Sequence, residues 1–144
     1  MADVKATTIL QPGDPIFGRV TLAKKTAADD IQKGDFLKLT TGEVEKMAAA
    51  TDDATFVGIA AMKSEDADGP STILVYTQCI IQMAMDSAAY AFGAGLKGNF
   101  TNSTLVADGG ANTIAFAWET KATTTSLKVL VDVRALGKLF ATSA

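Results

Sequence analysis

Side chains that could carry out catalysis or bind a metal are few in this chain of 144 residues. The chain has no histidine and one cysteine, Cys79, so His-dependent nucleophilic catalysis, histidine metal ligands and cysteine-rich zinc sites are excluded. Cys79 lies in an apolar run, which predicts a buried, unreactive thiol. Most Asp and Glu residues lie in turn-like segments, where burial would not shift their pKa values. We therefore predict that the chain is not an enzyme and has no metal site or cofactor.

Two segments resemble ligand-binding motifs. Gly93–Gly98 has the glycine spacing of a dinucleotide-binding loop, but residues 99–104 are poor helix formers and that motif must open a helix. We interpret these glycines as letting the chain bend at the corner of a barrel. Ser64–Gly69 resembles part of a calcium loop, but Val75 falls where the bidentate ligand belongs, which excludes an EF-hand. A loose surface calcium site and a solvated turn both stay open here.

Charge and hydropathy limit the classes of partner. Lys and Arg number 13 and Asp and Glu 16, which gives a net charge of −3. A general nucleic-acid-binding protein would need a basic face. The most apolar run, residues 73–85, is shorter than the roughly 20 apolar residues of a membrane helix. The first residues lack the apolar core of a secretory signal. We expect a soluble protein made in a cytoplasm, with no nucleic-acid or membrane partner.

Period-two alternation dominates the chain and predicts β-strands. Turn-forming residues such as Lys33-Gly34-Asp35 and Asp68-Gly69-Pro70 separate the runs at short intervals. This pattern predicts an all-β fold, a small antiparallel barrel or sandwich of about eight short strands. Two exceptions to the strand pattern are a possible helical turn over Asp86 to Phe92 and a possible short terminal helix over Ala135 to Phe140.

A faint internal repeat is visible in the order of the strand-like runs. Four runs between residues 36 and 77 are followed by four similar runs between residues 96 and 133. Two similar halves would suit one closed or two-layered sheet, which removes exposed edges.

The first sixteen residues differ from the rest of the chain, since Pro12 and Pro15 lack the amide hydrogens that a central strand needs. We predict an extended arm over residues 1–16 and a single β domain over residues 17–144. The arm is either a loose terminus folded over the barrel or a segment that docks on a partner by strand addition. For the second case we name as candidate binding residues Thr7, Thr8, Ile9, Leu10, Gln11, Pro12, Gly13, Pro15, Ile16 and Phe17.

Trp118 is the lone tryptophan of the chain. Alternation places it on one predicted strand face with Ile114 and Phe116. These three side chains could line a binding pocket, although large alternating residues usually face inward, which favours the core. The pocket interpretation supplies an alternative function, a carbohydrate- or host-surface-binding β-barrel module.

The order of several segments resembles the bacteriophage capsid cement, or head decoration, proteins. The matching segments are Gln11-Pro12-Gly13-Asp14; Ile31 to Leu39 followed by Gly42-Glu43-Val44; Thr51 to Ala60; and Tyr90 to Leu96 with Ile114 to Glu119 and Leu127 to Val133.

This resemblance implies a small all-β structural protein that binds the outside of an assembled phage capsid. Copies would bind as homotrimers and brace neighbouring subunits of the major capsid protein. The protein would be made in the bacterial host cytoplasm and reside on the outer capsid surface of the virion. Such a role needs no reactive groups, and the many weak contacts of symmetric copies would add through avidity.

Overall fold

A computed structural model describes residues 3–15, 17–65, 67–108 and 110–136. The fold is all-β, as predicted. The described residues form strands β1 to β11, a short 3-10 helix over Ala50–Thr55 and a single-turn helix, α1, over Val133–Leu136. This last helix overlaps the predicted terminal helix at Ala135 and Leu136 only, and residues 137–140 of that prediction fall outside the described residues. The predicted helical turn over Asp86 to Phe92 is wrong, because this stretch continues a long strand as far as Tyr90.

The first five strands after β1 form a ring, which we call the first barrel. Neighbouring strands pair antiparallel in the order β2-β6-β5-β3-β4. A parallel bridge between Lys24 and Val44 then brings the end of β2 to β4 and closes the ring. The strands are β2 (Arg19–Ala23), β3 (Phe36–Thr40), β4 (Glu43–Lys46), β5 (Phe56–Ala60) and β6 (Thr72–Tyr76).

The remaining strands form a second barrel of the same design. Its antiparallel order is β7-β11-β10-β8-β9, and a parallel pairing of Met85 with Leu105 joins β7 to β9. Thr77 alone separates the two barrels in the chain. The strands are β7 (Gln78–Tyr90), β8 (Gly95–Asn99), β9 (Thr104–Ala107), β10 (Ala115–Ala117) and β11 (Lys121–Asp132).

The strand register is the same in both barrels. Leu37 pairs with Gly58 in the first barrel, and Leu96 pairs with Ala115 in the second. Following the pairs around each ring places these residues at equivalent positions: Val20 and Ile81, Lys24 and Met85, Leu37 and Leu96, Val44 and Leu105, Ala60 and Ala117, Val75 and Val129. The repeat seen in the sequence is therefore a structural repeat, with one further strand in each copy. It builds two closed sheets, whereas we expected one.

Each barrel has a packed interior, and the second interior extends into the contact between the barrels. The first interior contains Leu37, Val44 and Ile73. The second contains Leu96, Leu105 and Val129, and its cluster continues into Phe36, whose ring stacks on Phe56 with centroids 5.7 Å apart. Burial of these apolar side chains is the main favourable term that holds the two barrels together.

The amino-terminal segment crosses both barrels. Val4 and Ala6 are buried, and Lys5 forms an antiparallel bridge with Asp35 beside the first barrel. Strand β1 (Thr8–Gln11) then pairs antiparallel with β7 of the second barrel. This segment is therefore fixed by main-chain hydrogen bonds to the body of its own chain.

Candidate functional site

The structure brings several of the predicted arm residues together on one surface. Thr7 donates its amide hydrogen to the Gln82 carbonyl oxygen, and Ile9 packs against the shared core. A β-bulge between Ile9 and Gln11 leaves the Leu10 side chain 48% exposed. Bulges are frequent at sheet edges, where they re-aim a side chain. The predicted arm is thus anchored along its length while Leu10 points outward.

A rigid turn follows β1. The Arg19 side chain donates to the Gly13 carbonyl oxygen from both Nε (3.0 Å) and Nη2 (2.6 Å). Gly13 packs so closely on Gly18 that a Cβ would lie 2.0 Å from the Gly18 carbonyl oxygen. Asp14 accepts a hydrogen bond from the Phe17 amide at 3.2 Å. These contacts, with the fixed φ of Pro12, hold the turn in one conformation.

A groove of about 460 Å³ lies between this turn and the outer face of the second barrel. Of the predicted residues, Gln11, Pro12, Gly13 and Pro15 line it. Thr7, Thr8, Ile9, Leu10 and Phe17 do not, and Ile16 lies outside the described residues. The groove is also lined by Asp14, Arg19, Gln78, Cys79, Ile80 and Leu130.

Phe17 stands at the far side of the turn with 63% of its surface exposed. The Arg134 guanidinium carbon lies 5.6 Å from the centre of the Phe17 ring. This distance permits a cation–π contact. Leu10 and Phe17 are thus large apolar side chains that the fold holds at the surface on either side of the groove-lining turn.

The prediction that Trp118 lies in the core is wrong. Small alanines face into the second barrel at Ala115 and Ala117, because a ring of five strands has a narrow interior. Trp118 is 37% exposed, and its ring lies 4.8 Å from the ring of Phe92. Ile114 is buried as predicted, while Phe116 is half-buried. Phe92 was not singled out from the sequence, although its position next to the Gly93 turn is a signal of a surface residue.

Asp35 is a buried carboxyl group at the point where the amino-terminal segment crosses the first barrel. It is 1% exposed, and its Oδ2 accepts a hydrogen bond from the Gln32 amide at 2.7 Å. Its Oδ1 has no hydrogen-bond partner among the described residues. Burial raises the pKa of Asp35 to about 6, against the lowering effects of the Gln32 hydrogen bond and of Lys46.

The structure also locates Cys79 and the glycine-rich segment, which were singled out from the sequence. Cys79 is buried, and this burial raises its pKa to about 12, as expected for an unreactive thiol. Gly95–Asn99 is a strand, so the glycine-rich segment opens no helix. Asp66 of the calcium-like segment lies outside the described residues. Within the described ranges, no three His, Cys, Asp or Glu side chains lie close enough to hold a metal ion together.

Helices long and apolar enough to cross a membrane are absent from the described residues.

Comparison with known proteins gives little. No protein-family model matches the chain, and no curated protein matches it. Among solved structures, the head fiber gp8.5 N base in bacteriophage phi29 is similar with a TM-score of 0.42 and 12% identity, over 80% of this chain and 95% of that one. At this level the similarity establishes neither a common fold nor a common role.

Proposed function

We propose that this protein is a structural component of a bacteriophage virion that binds the outer surface of the capsid and stabilises neighbouring subunits of the major capsid protein. It acts as a homo-oligomer, a trimer, placed at symmetry axes of the shell. In this role it needs no catalysis, no cofactor, and no contact with nucleic acid or membrane. The sequence resemblance to capsid cement proteins is one support for this proposal.

The observation that carries the proposal is the combination of an anchored amino-terminal segment with exposed apolar side chains on it. Leu10 and Phe17 are held outward by a segment whose other apolar residues, such as Val4 and Ala6, are buried. A pre-ordered surface loses little conformational entropy on binding. Contiguous apolar surface is typical of protein interaction sites, and we propose that Leu10 and Phe17 belong to one such surface.

A clamp of this kind stabilises a shell by mass action. A protein that binds the assembled shell better than its dissociated subunits stabilises the assembly in proportion to the logarithm of its concentration. Several copies joined in one oligomer bind with higher avidity than a single copy. Individual contacts with the capsid therefore need not be strong.

Point variants test this proposal better than deletion of residues 1–16, which would remove Val4, Ala6 and Ile9 from the core. The test uses empty capsid shells of the phage that encodes the chain, and it measures binding by co-sedimentation and shell melting by scanning calorimetry. Phe17→Ser and Leu10→Ser are the test variants. Phe92→Ser is the matched control, because Phe92 is 58% exposed and Phe17 is 63% exposed.

We expect wild type and the Phe92→Ser variant to bind shells and raise their melting temperature. Phe17→Ser and Leu10→Ser should each bind about tenfold more weakly, since losing a buried anchor at an interface costs more than about 1 kcal/mol. A wild-type chain that does not bind shells contradicts the function, and equal binding by all variants contradicts the assigned surface. Sedimentation equilibrium of the free protein tests the trimer.

A second candidate function, binding of carbohydrate or of a host surface, is favoured by one observation. The exposed Phe92–Trp118 pair has the apolar, planar character on which sugar rings stack, and Glu119 and Lys128 lie next to it in the sheet. A glycan array probed with wild type and Trp118→Ala tests it. Specific binding that is lost in the variant supports this candidate, and an array without any binding contradicts it.

A further inference from the structure

The repeat of the barrels leaves one strand edge covered in one copy and uncovered in the other. In the second barrel, β1 covers the edge of β7 at Ile80, Ile81 and Gln82. The equivalent residues of the first barrel, by the register given above, are Arg19, Val20 and Thr21. Among the described residues, no strand pairs with that edge of β2.

Main-chain directions show that this edge has hydrogen-bonding groups facing outward. Lys24 donates its amide hydrogen to the Ser71 carbonyl oxygen at 2.9 Å, so it faces the β6 side. Lys25 donates to the Val44 carbonyl oxygen at 2.9 Å, on the opposite side. Because the groups of successive residues in a strand point to opposite sides, Arg19, Thr21 and Ala23 face the same side as Lys25. On this side β4 meets β2 only at Lys24 and Lys25, and among the described residues the edge towards Arg19 is uncovered.

Side chains at this edge are also less covered than their equivalents. Ile81 and Met83 are 0% exposed in the second barrel, where Ile9 of β1 packs against the same cluster. Val20 and Leu22, at the equivalent positions of β2, are only half-buried. Both the main chain and the apolar side chains of the first barrel therefore lack the cover that β1 gives to the second.

We propose that the Arg19–Thr21 edge of β2 binds an extended segment of the major capsid protein as an added β-strand. The added strand runs antiparallel to β2, as β1 does to β7, and places an apolar side chain over Val20 and Leu22. Strand addition supplies affinity through main-chain hydrogen bonds and specificity through alternate side chains. Strand β1 pairs with β7 of its own chain, so it does not supply the strand at this edge. This inference rests on the proposed function, which supplies that protein.

A proline substitution tests the edge without cutting the barrel. Thr21→Pro removes an amide hydrogen that points away from β6, so the ladder between β2 and β6 keeps its hydrogen bonds; proline is tolerated at such edge positions. Thr21→Ala is the control, because it keeps the amide and changes only an exposed side chain. Both variants are first compared with wild type by thermal melting. Affinity for capsid shells is then measured by co-sedimentation.

We expect Thr21→Pro to bind shells about tenfold more weakly than wild type, the loss of one to two net hydrogen bonds. Thr21→Ala should bind as wild type does. As a second measurement, hydrogen exchange of wild type should slow at the Arg19 and Thr21 amides when shells are added. This readout keeps the inference testable even when the proline variant does not fold.

Other outcomes overturn the inference. If wild type and Thr21→Pro bind shells equally and the two amides exchange at an unchanged rate, the shell does not use this edge, although the proposed function stands. If wild type does not bind shells, both fail together. If the two amides are already protected in the free protein and become exchangeable in a chain ending at Leu136, the chain's own last residues occupy the edge. If that protection instead depends on protein concentration, a second copy occupies it.

Discussion

The two barrels have equivalent inward-facing residues but differ in the residues on their outer faces. The outward-facing residues of β3 and β5 in the first barrel are large and apolar, and they join the shared core. The residues at the equivalent positions of the second barrel are smaller, polar or partly exposed. The equivalent pairs are Phe36 and Gly95, Phe56 and Thr113, and Ile59 and Phe116. The inward-facing residues determine that each half forms a ring. The outward-facing residues determine which outer face is buried in the shared core and which outer face stays exposed.

A second difference lies in the cover at the edges. The amino-terminal segment passes Asp35 of the first barrel and then adds β1 to the second. Among the described residues, the edge beside the ring closure is therefore covered by the chain's own strand in the second barrel only. Unpaired edges invite pairing with other chains, which is why we propose that the first barrel takes the added strand.

Truncating the equivalent leucine in each barrel tests whether the two interiors contribute equally to stability. Leu37→Ala and Leu96→Ala should each lower the free energy of unfolding by about 3 kcal/mol, since both side chains are fully buried. Leu10→Ala, at an exposed position, should change it by less than about 0.5 kcal/mol. Because the core continues between the barrels, we expect a single urea transition for each variant. Two transitions would show that the barrels unfold separately.

Asp35 distinguishes the first barrel from the second, which has Ala94 at the equivalent position. The folded-state pKa of Asp35 is raised from 3.8 to about 6. Its protonated form therefore stabilises the fold fully below pH 3.8, and this stabilisation is lost as the pH rises through about 6. Asp35→Asn keeps the acceptor for the Gln32 amide and carries no charge.

We expect Asp35→Asn to raise the free energy of unfolding at pH 8 by about 2 kcal/mol and to flatten its change between pH 4 and 7, the window set by those two pKa values. Urea unfolding of both proteins across this range measures the effect. A variant that is less stable at pH 8, or that keeps the wild-type slope, contradicts the assignment.

The difference in cover between the two edges can be tested by comparing the stability lost on truncating Met83 and Leu22. Met83→Ala should cost more stability than Leu22→Ala by about 1–2 kcal/mol, because β1 and Ile9 seal the edge beside Met83, while Leu22 is half-buried. Equal losses in thermal melting would mean that Leu22 is as well covered as Met83 in solution. Binding of shells that raises the cost of Leu22→Ala would agree with the proposed strand addition.

The smallest effect is expected at Trp118, on the outside of the second barrel. Trp118→Ala should lower the free energy of unfolding by no more than about 1 kcal/mol, against about 3–5 kcal/mol for a buried tryptophan. Wild-type fluorescence should be quenched by added iodide, since Trp118 is exposed. Fluorescence that iodide does not quench would show that Trp118 is buried, which would contradict this assignment.

The order of residues along the chain was enough to predict the fold class and the repeat. Alternation at Ile73 and Val75, or at Leu127 and Val129, is a local signal that directly reports which side chains face an interior. The order of the strand-like runs likewise revealed the two halves. The lack of histidine settled much of the excluded chemistry from composition alone. Cys79 was also placed correctly, because its whole neighbourhood is apolar.

How the halves close, and which residues reach the surface, depends on contacts that form only in the folded chain. Closure of each ring depends on contacts such as Lys24 with Val44, which join residues far apart in the chain. The inward face of β10 carries alanine, against the usual rule for large residues, because the narrow ring leaves no room for Trp118 or Phe116. The docking of β1 on β7, and the open edge of β2, follow from that same closure, since local pattern does not specify which strand becomes an edge.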